Sequence, residues 1–255
     1  WNIYISNKLI EHEYAEGRVN ELLKNNTNVT YSDSLHLSVS MRSFRAETLS
    51  NFVHSLLSFG SDTQRLYQDV SDKGYPVLLT RDIEKARAWL RANARGSQQT
   101  GILVTKVAAR FKPQAVNVLA QGDENAVHWF LEDKSDIRSS NYLEEAATEI
   151  QVQGLELDYA CVLWDADMRF HDHEWSFYKF NGKNKWNPEN NPENKKYMLN
   201  AYRVLLTRAR QGIVICVPHG NGRVNSEGFP EDATRLPEYY DGTYAYFKSL
   251  GIKEL

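Results

Sequence analysis

Only two cysteines, Cys161 and Cys216, occur among 255 residues, and both lie inside apolar, strand-like runs. They do not make a disulfide scaffold and read as reduced core residues of a cytosolic protein. No stretch approaches the ~18 consecutive apolar residues of a membrane span, and no secretory leader is visible, so no membrane partner is expected. A surplus of one charge is also missing: 30 Lys and Arg stand against 33 Asp and Glu, leaving −3. Contact with nucleic acid would therefore need a local patch, since the net charge gives no global pull. Internal repeats and hydrophobic heptads are absent. So is the phosphate-cradling G-x-x-x-x-G-K-[ST] loop, because the one Gly-Lys pair, Gly182-Lys183, has Phe177 five positions before the glycine. No acidic D-E-A-Q-type run follows an apolar strand. An initiating methionine is lacking too: the chain opens at Trp1, as a processed product or an excised fragment would.

What is present is an alternation of buried-strand runs and amphipathic helices. Strands are expected at LHLSV (35–39), YPVLLT (75–80), GILVTKV (101–107), YACVLW (159–164) and IVICVP (213–218). Between the first two, Leu49, Phe52, Val53 and Leu56 recur at i, i+3, i+4, i+7 and stop at Gly60, which is a helical stripe. RDIEKARAWL carries acidic residues in its first turn and places Ile83, Ala86 and Leu90 on one face. Continuous apolar strands separated by such helices require a mostly parallel sheet covered on both faces, so the fold is read as α/β, doubly wound. Residues 167–196, rich in Asn, Lys and aromatics, break the alternation as an insertion, with NPENNPENKK read as a loop. Residues 219–240 are loop-like before a closing helix near 242–250. The division expected is a connecting segment at 1–34 and one domain at 35–255.

The stretch NAYRVLLTRARQGIVICVP (200–218) sets Arg203, Arg208 and Arg210 in an apolar run. A helix over 197–210 would put Tyr197, Ala201, Val204, Leu205 and Arg208 on one stripe and Leu199, Tyr202 and Leu206 opposite, so that it is sandwiched. A guanidinium keeps its proton, and its burial is costly unless an anion meets it. The anion is either an Asp or Glu of the chain or a phosphate, which guanidinium matches bidentately.

VLLTRAR ahead of a strand resembles the last motif of superfamily 1 helicases, and two more stretches fit in order. ATEIQVQGLELDYACV (147–162) resembles the preceding motif, and LSVSMRSFRAE (37–47) the motif in which an arginine follows the first strand of the second motor domain. Together with TRDIEKARAWL and DIRSSNYLE, these resemble the Schlafen-like (group 3) DNA/RNA helicase domain over about residues 35–250. The resemblance implies a RecA-like second motor domain. Such a domain completes the site for ATP and magnesium held by an upstream RecA-like ATPase domain, and DNA or RNA is the coupled partner. It makes Arg208 the arginine finger and Arg42 a second γ-phosphate contact. Glu156 holds the ribose hydroxyls, Gly154 permits close backbone approach, and Gln153 and Thr148 touch nucleotide or nucleic-acid backbone. Arg203, where the superfamily usually has an aromatic, is placed with the nucleotide-facing set; Ile150 stands where a histidine is common. Trp1 fits the tryptophan that often follows the first domain's acidic motif, which would mean that domain was cut away. Without it, the chain alone is not expected to hydrolyse ATP or hold it tightly.

Three other clusters are candidates. Basic and aromatic side chains interleave over 169–186, and Lys179, Lys183 and Trp186 suit stacking and phosphate contact with a single strand; an aromatic-pinned hairpin over the sheet edge is the alternative. Arg138 of DIRSSNYLE either meets a backbone phosphate or belongs to a capped turn. HDHEW (171–175) offers metal-ligand types, but adjacent side chains diverge and no H-E-x-x-H or CxxC spacing supports it, so no metal is expected. A degenerate, non-catalytic module that binds RNA, DNA or a protein is the competing class.

Overall fold

Residues 2–6, 18–23, 26–35, 44–108, 110–120, 122–181 and 185–255 are described by a computed structural model. The chain divides into two compact units, Trp1–Phe44 and Arg45–Leu255. In the first, β1 (Ile3–Ile5) pairs in parallel with β2 (Val29–Tyr31), and helix α1 (Arg18–Leu23) lies between them in sequence. The strand expected at 35–39 falls outside the described residues, apart from Leu35, which closes a 3-10 turn.

The second unit runs α2 (Phe44–Ser58), α3 (Thr63–Asp72), β3 (Val77–Thr80), α4 (Ile83–Asn93), β4 (Thr100–Val104), β5 (Asn117–Val118), α5 (Asp123–Leu131), β6 (Glu145–Thr148) and β7 (Leu157–Leu163). A hairpin sheet follows: β8 (Met168–His171), β9 (Glu174–Asn181) and β10 (Lys185–Pro188). The chain then returns through α6 (Pro192–Leu206), β11 (Ala209–Cys216), α7 (Glu238–Ser249) and β12 (Lys253–Glu254). Seven strands form one sheet in the order β12-β3-β11-β7-β4-β6-β5, and every pairing in it is parallel. This is a RecA-like α/β architecture with helices on both faces.

The register explains why the strand runs are apolar throughout. Leu78, Val214, Cys161, Ile102 and Ala146 are successive partners across five strands, and all five pack in one cluster with Ile83, Ala86 and Leu90 of α4. Their sequence neighbours Leu79, Ile215, Val162 and Leu103 point to the other face, as the two-residue period of a strand requires. There they meet α2, α3, α6 and α7. Cys161 and Cys216 are ordinary members of the α4 side of the core.

Two boundaries differ from the sequence expectation. NPENNPENKK is not all loop: Asn191 caps a helix through Oδ1, accepting from Glu193 N (2.9 Å), and Pro192 takes the first helical turn, where its missing N–H costs nothing. That helix, α6, ends at Leu206, so Arg208 and Arg210 are not on it. Thr207 Oγ1 donates to Arg203 O and Val204 O at 2.9 and 3.1 Å, satisfying carbonyls that a further helical turn would have used. Most of the 167–196 insertion, residues 168–188, is a three-stranded antiparallel sheet, with Asp172 and His173 at its tip in the left-handed region (φ 48° and 63°) that a tight hairpin turn demands. It is pinned by aromatics: Trp164, Trp175, Phe247 and Tyr246 meet ring to ring, and Gly242 of α7 lies so close to Phe170 O that a Cβ would stand 2.3 Å from it.

Phe247, fully buried on α7 with Trp164 5.0 Å away, tests whether the last helix belongs to the cooperative core. Phe247→Ala is expected to cost about 3–5 kcal/mol in urea unfolding; a loss below ~1 kcal/mol would mean that α7 is not part of that unit.

Candidate functional site

Two turns and the segment leading into β11 build the site. Thr148 closes β6, and its N and Oγ1 both meet Gln151 Oε1, at 2.9 and 3.0 Å, while Val152 N donates to Thr148 O, making one helical turn. Gly154 then adopts φ +86°, a left-handed conformation that any Cβ would strain, and reverses the chain toward β7. Leu157 N donates to Arg208 O at 2.9 Å, and Arg208 Nη1 donates to Leu155 O at 3.3 Å. The 153–157 turn and Arg208 are thus one hydrogen-bonded assembly, with Arg208 only 8% exposed and Glu156 half-buried within it.

Beside this assembly lies a groove of about 350 Å³ between α6 and the 149–153 turn. Arg208 and Gln153 line it with Met198, Ala201 and Val204 of α6. Thr105 and Lys106, just beyond the carboxyl end of β4, close its other side. Glu149 Oε2 accepts from Lys106 N (2.8 Å), which couples the chain segments after β4 and β6. Arg203 is half-buried on α6; its Nη1 donates to Asn200 Oδ1 (2.9 Å), and its buried Nε has no hydrogen-bond partner among the described residues. Arg210 instead sits in a bulge at the start of β11 and pairs with Asp158 at 3.1 Å, the ion-pair alternative.

Under the groove is a pair of fully buried carboxylates, Asp165 and Asp167, just after β7. Asp167 accepts from Tyr202 Oη of α6 (2.6 Å) and from Thr105 Oγ1 (2.7 Å). Asp165 accepts from Ala166 N (2.8 Å), Arg110 N (3.1 Å) and Tyr240 Oη of α7 (3.2 Å). Desolvation, with the neighbouring Asp165 charge adding to it, pushes Asp167 up to about 7, against those hydrogen bonds. Burial and the Asp167 charge likewise drive the Tyr202 phenol well up. Apart from Tyr202, none of these residues stood out in the sequence; the signal was WDAD directly after an apolar strand, where acids ordinarily mark a solvated loop.

The remaining expected residues have structural partners. Arg138 grips Asp136 through Nε (3.0 Å) and Nη2 (2.7 Å), holding that carboxyl down to about 2, and a 3-10 turn capped by Ser139 follows. Lys179 pairs with Glu189, and Trp186 Nε1 donates to Thr234 O (2.8 Å) while its ring meets Phe180 edge-on at 5.0 Å. Arg169 is clasped between Tyr239 and Tyr178, its guanidinium carbon 3.6 and 3.8 Å from the ring centres. His171 and Glu174 face each other across the hairpin tip, and no group of His, Cys, Asp or Glu among the described residues is arranged to hold a metal ion. Arg42, Lys183 and Trp1 lie outside the described residues. No described helix is long and apolar enough to cross a membrane.

Residues 8–219 match the family described as Schlafen group 3, DNA/RNA helicase domain. The chain belongs to that family. The matched span holds the 148–157 turn and Arg208, and stops before α7, which nonetheless supplies Tyr240 to Asp165. Comparison with curated proteins and with solved structures gives no match.

Asp167 makes this helicase-like domain's stability pH-dependent. Its carboxyl keeps a proton up to about pH 7 in the fold, whereas its ordinary value is 3.8. The stability tied to that proton is present in full below about pH 4 and is lost as pH rises through about 7. Asp167→Asn is therefore expected to gain on the parent, in urea midpoint, steadily from pH 4 to 7 and to hold level above; parallel pH profiles would refute the buried proton.

Proposed function

We propose that this chain is the second motor domain of a superfamily 1-type, Schlafen-like ATPase, acting on ATP held by an upstream RecA-like domain and coupled to DNA or RNA. The observation that carries this reading is the Arg208 assembly: the family's arginine and its G-x-E turn, far apart in sequence, are hydrogen-bonded neighbours at the amino-terminal ends of β7 and β11, adjacent strands inside the sheet. The residues fit the terminal phosphate and the ribose, and not the phosphates between them. A guanidinium suits the γ-phosphate and Glu156 a ribose diol, whereas the sequence has no loop to cradle the remaining phosphates. Bound ATP would bring the phosphoryl group and its magnesium; the chain's own part is charge neutralisation by Arg208 and Arg42, orientation by Glu156, and backbone access at Gly154.

Arg208 is fixed before the nucleotide arrives, because the last turn of α6 and the start of β7 hold its main chain on both sides. Such preorganisation lets a cation act in the transition state without reorganising. Gln153 lines the groove that continues from this site, and Thr148 and Arg203 each stand one residue from its lining residues Glu149 and Val204; nucleotide or nucleic-acid contact is proposed there.

The decisive experiment is ATP turnover, with and without single-stranded DNA or RNA, by this chain and by the gene product extended upstream. Only the extended protein is expected to turn over, and Arg208→Ala in it to lower kcat by roughly 10³–10⁵-fold, the range of an arginine finger. Turnover indifferent to Arg208, or the absence of any upstream ATPase domain, would leave the non-catalytic binding module as the function.

A further inference from the structure

The groove beside Arg208 has a composition that its role as an arginine mount does not require. Its walls are Val107, Ile150, Met198, Ala201 and Val204, and two large apolar side chains at it are left in solvent: Tyr197 is 71% exposed and Ile150 56%. On a helix whose buried face is already filled by Tyr202, Leu205 and Leu206, an outward Tyr197 beside a cleft has no packing task. Apolar walls with a few convergent polar groups are the signature of a small-ligand cleft. Here the polar groups are two side-chain amides, Asn200 and Gln153, and the cations Lys106 and Arg208. These two cations outnumber the one acid in the lining, Glu149, so the groove carries a net positive charge and favours an anion. Asn200 Oδ1 is taken by Arg203 Nη1, which turns the amide so that Nδ2 is the donor it offers.

The ligand those features select is flat and apolar on its faces, hydrogen-bonding at its edge, and anionic at one end. We propose that this groove binds a single nucleobase against Tyr197, with the attached phosphate toward Lys106. The inference deepens the motor-domain reading and rests on it. Its volume, about 350 Å³, is near the lower limit of ligand clefts of about 300–1,000 Å³, which suits one nucleotide unit and not a dinucleotide. Tyr197 and Ile150 enclose the ring, Asn200 and Gln153 meet its edge, and Lys106 takes the phosphate charge, which leaves Arg208 to the γ-phosphate. The unit comes either from a free nucleotide or from one residue of a single strand.

Photo-crosslinking of the full chain separates these sources and tests the site. The probes are 5-iodouridine monophosphate and a twelve-residue oligodeoxythymidine carrying one 5-iodouracil, with the attachment point read by peptide mass spectrometry. Attachment at Tyr197 is expected. With the monophosphate it identifies a free nucleotide, and with the oligonucleotide alone it identifies a strand. Tyr197→Ala is expected to weaken the crosslinking probe by roughly 5- to 150-fold, the range for losing one base–aromatic stack. Tyr197→Phe should restore binding, and the affinity for inorganic tripolyphosphate should not change. Because Tyr197 is exposed, its removal leaves the fold intact. Attachment elsewhere, binding indifferent to Tyr197→Ala, or no binding of either probe at millimolar concentration overturns the proposal. Loss of turnover in Arg208→Ala alongside any of those results removes the groove and leaves the motor reading standing. A Tyr197 crosslink without Arg208-dependent turnover does the reverse.

Discussion

Taking a carboxyl group out of water is costly unless hydrogen-bond partners replace the lost hydration, and this chain does so twice within three residues, at Asp165 and Asp167. The donors come from separate parts of the chain: Thr105 after β4, Arg110 N in the following loop, Tyr202 on α6 and Tyr240 on α7. Each must arrive in hydrogen-bonding position, so the pair fixes where these segments lie against the sheet. Trp164, one residue before Asp165, stacks on Tyr202 with ring centres 3.8 Å apart and sets the height of α6 above β7. Once that helix is placed, so are the groove wall on its flank and the arginine at its end.

The arginines show how differently one residue type is handled within a single sheet and its coverings. Arg210 and Arg138 are neutralised by neighbouring carboxylates, while Arg169 keeps its charge between aromatic faces. Arg208 differs because its main chain is part of the architecture: its carbonyl opens the pairing with β7 and its guanidinium reaches back to the same turn. Substituting this residue therefore alters charge while leaving the backbone link in place.

The sheet was legible because strands buried on both faces must be apolar at every position, and Val77–Leu79, Leu103, Val162 and Ile213–Ile215 announce themselves in this way. The edge strands were not. β5 and β12 are two residues each, and their described side chains are exposed, so no pattern has room to develop. β6 reads EAAT, too small and mixed to distinguish from a turn. The start of α6 was hidden because NPEN occurs twice, and only the second copy has a helix to cap. The TRAR segment looks helical by composition; what ends the helix is a side-chain bond of Thr207 that no periodicity records. The carboxylate pair was invisible for a deeper reason: an acid after a strand is normally solvated, and only the tyrosines that converge on it from α6 and α7 make burial tolerable. The site turn was read from its motif, while its tie to Arg208 appears only in three dimensions.

The strand order carries a consequence for how the chain is made. β3 precedes both of its neighbours in the sheet, β11 and β12, with Val77 beside Ile213 and Leu78 beside Lys253. An apolar strand thus waits, with both edges unpaired, while well over a hundred residues are added. Such contacts between distant parts of a chain are slow to form, and open edges invite pairing with other nascent chains. α2, α3 and α4, which flank β3 in sequence, are complete by then and can cover its faces but not its edges. Cells making this protein at high rate should therefore lose it to aggregation before its last strands appear, and chaperones that shield strand edges should govern its yield.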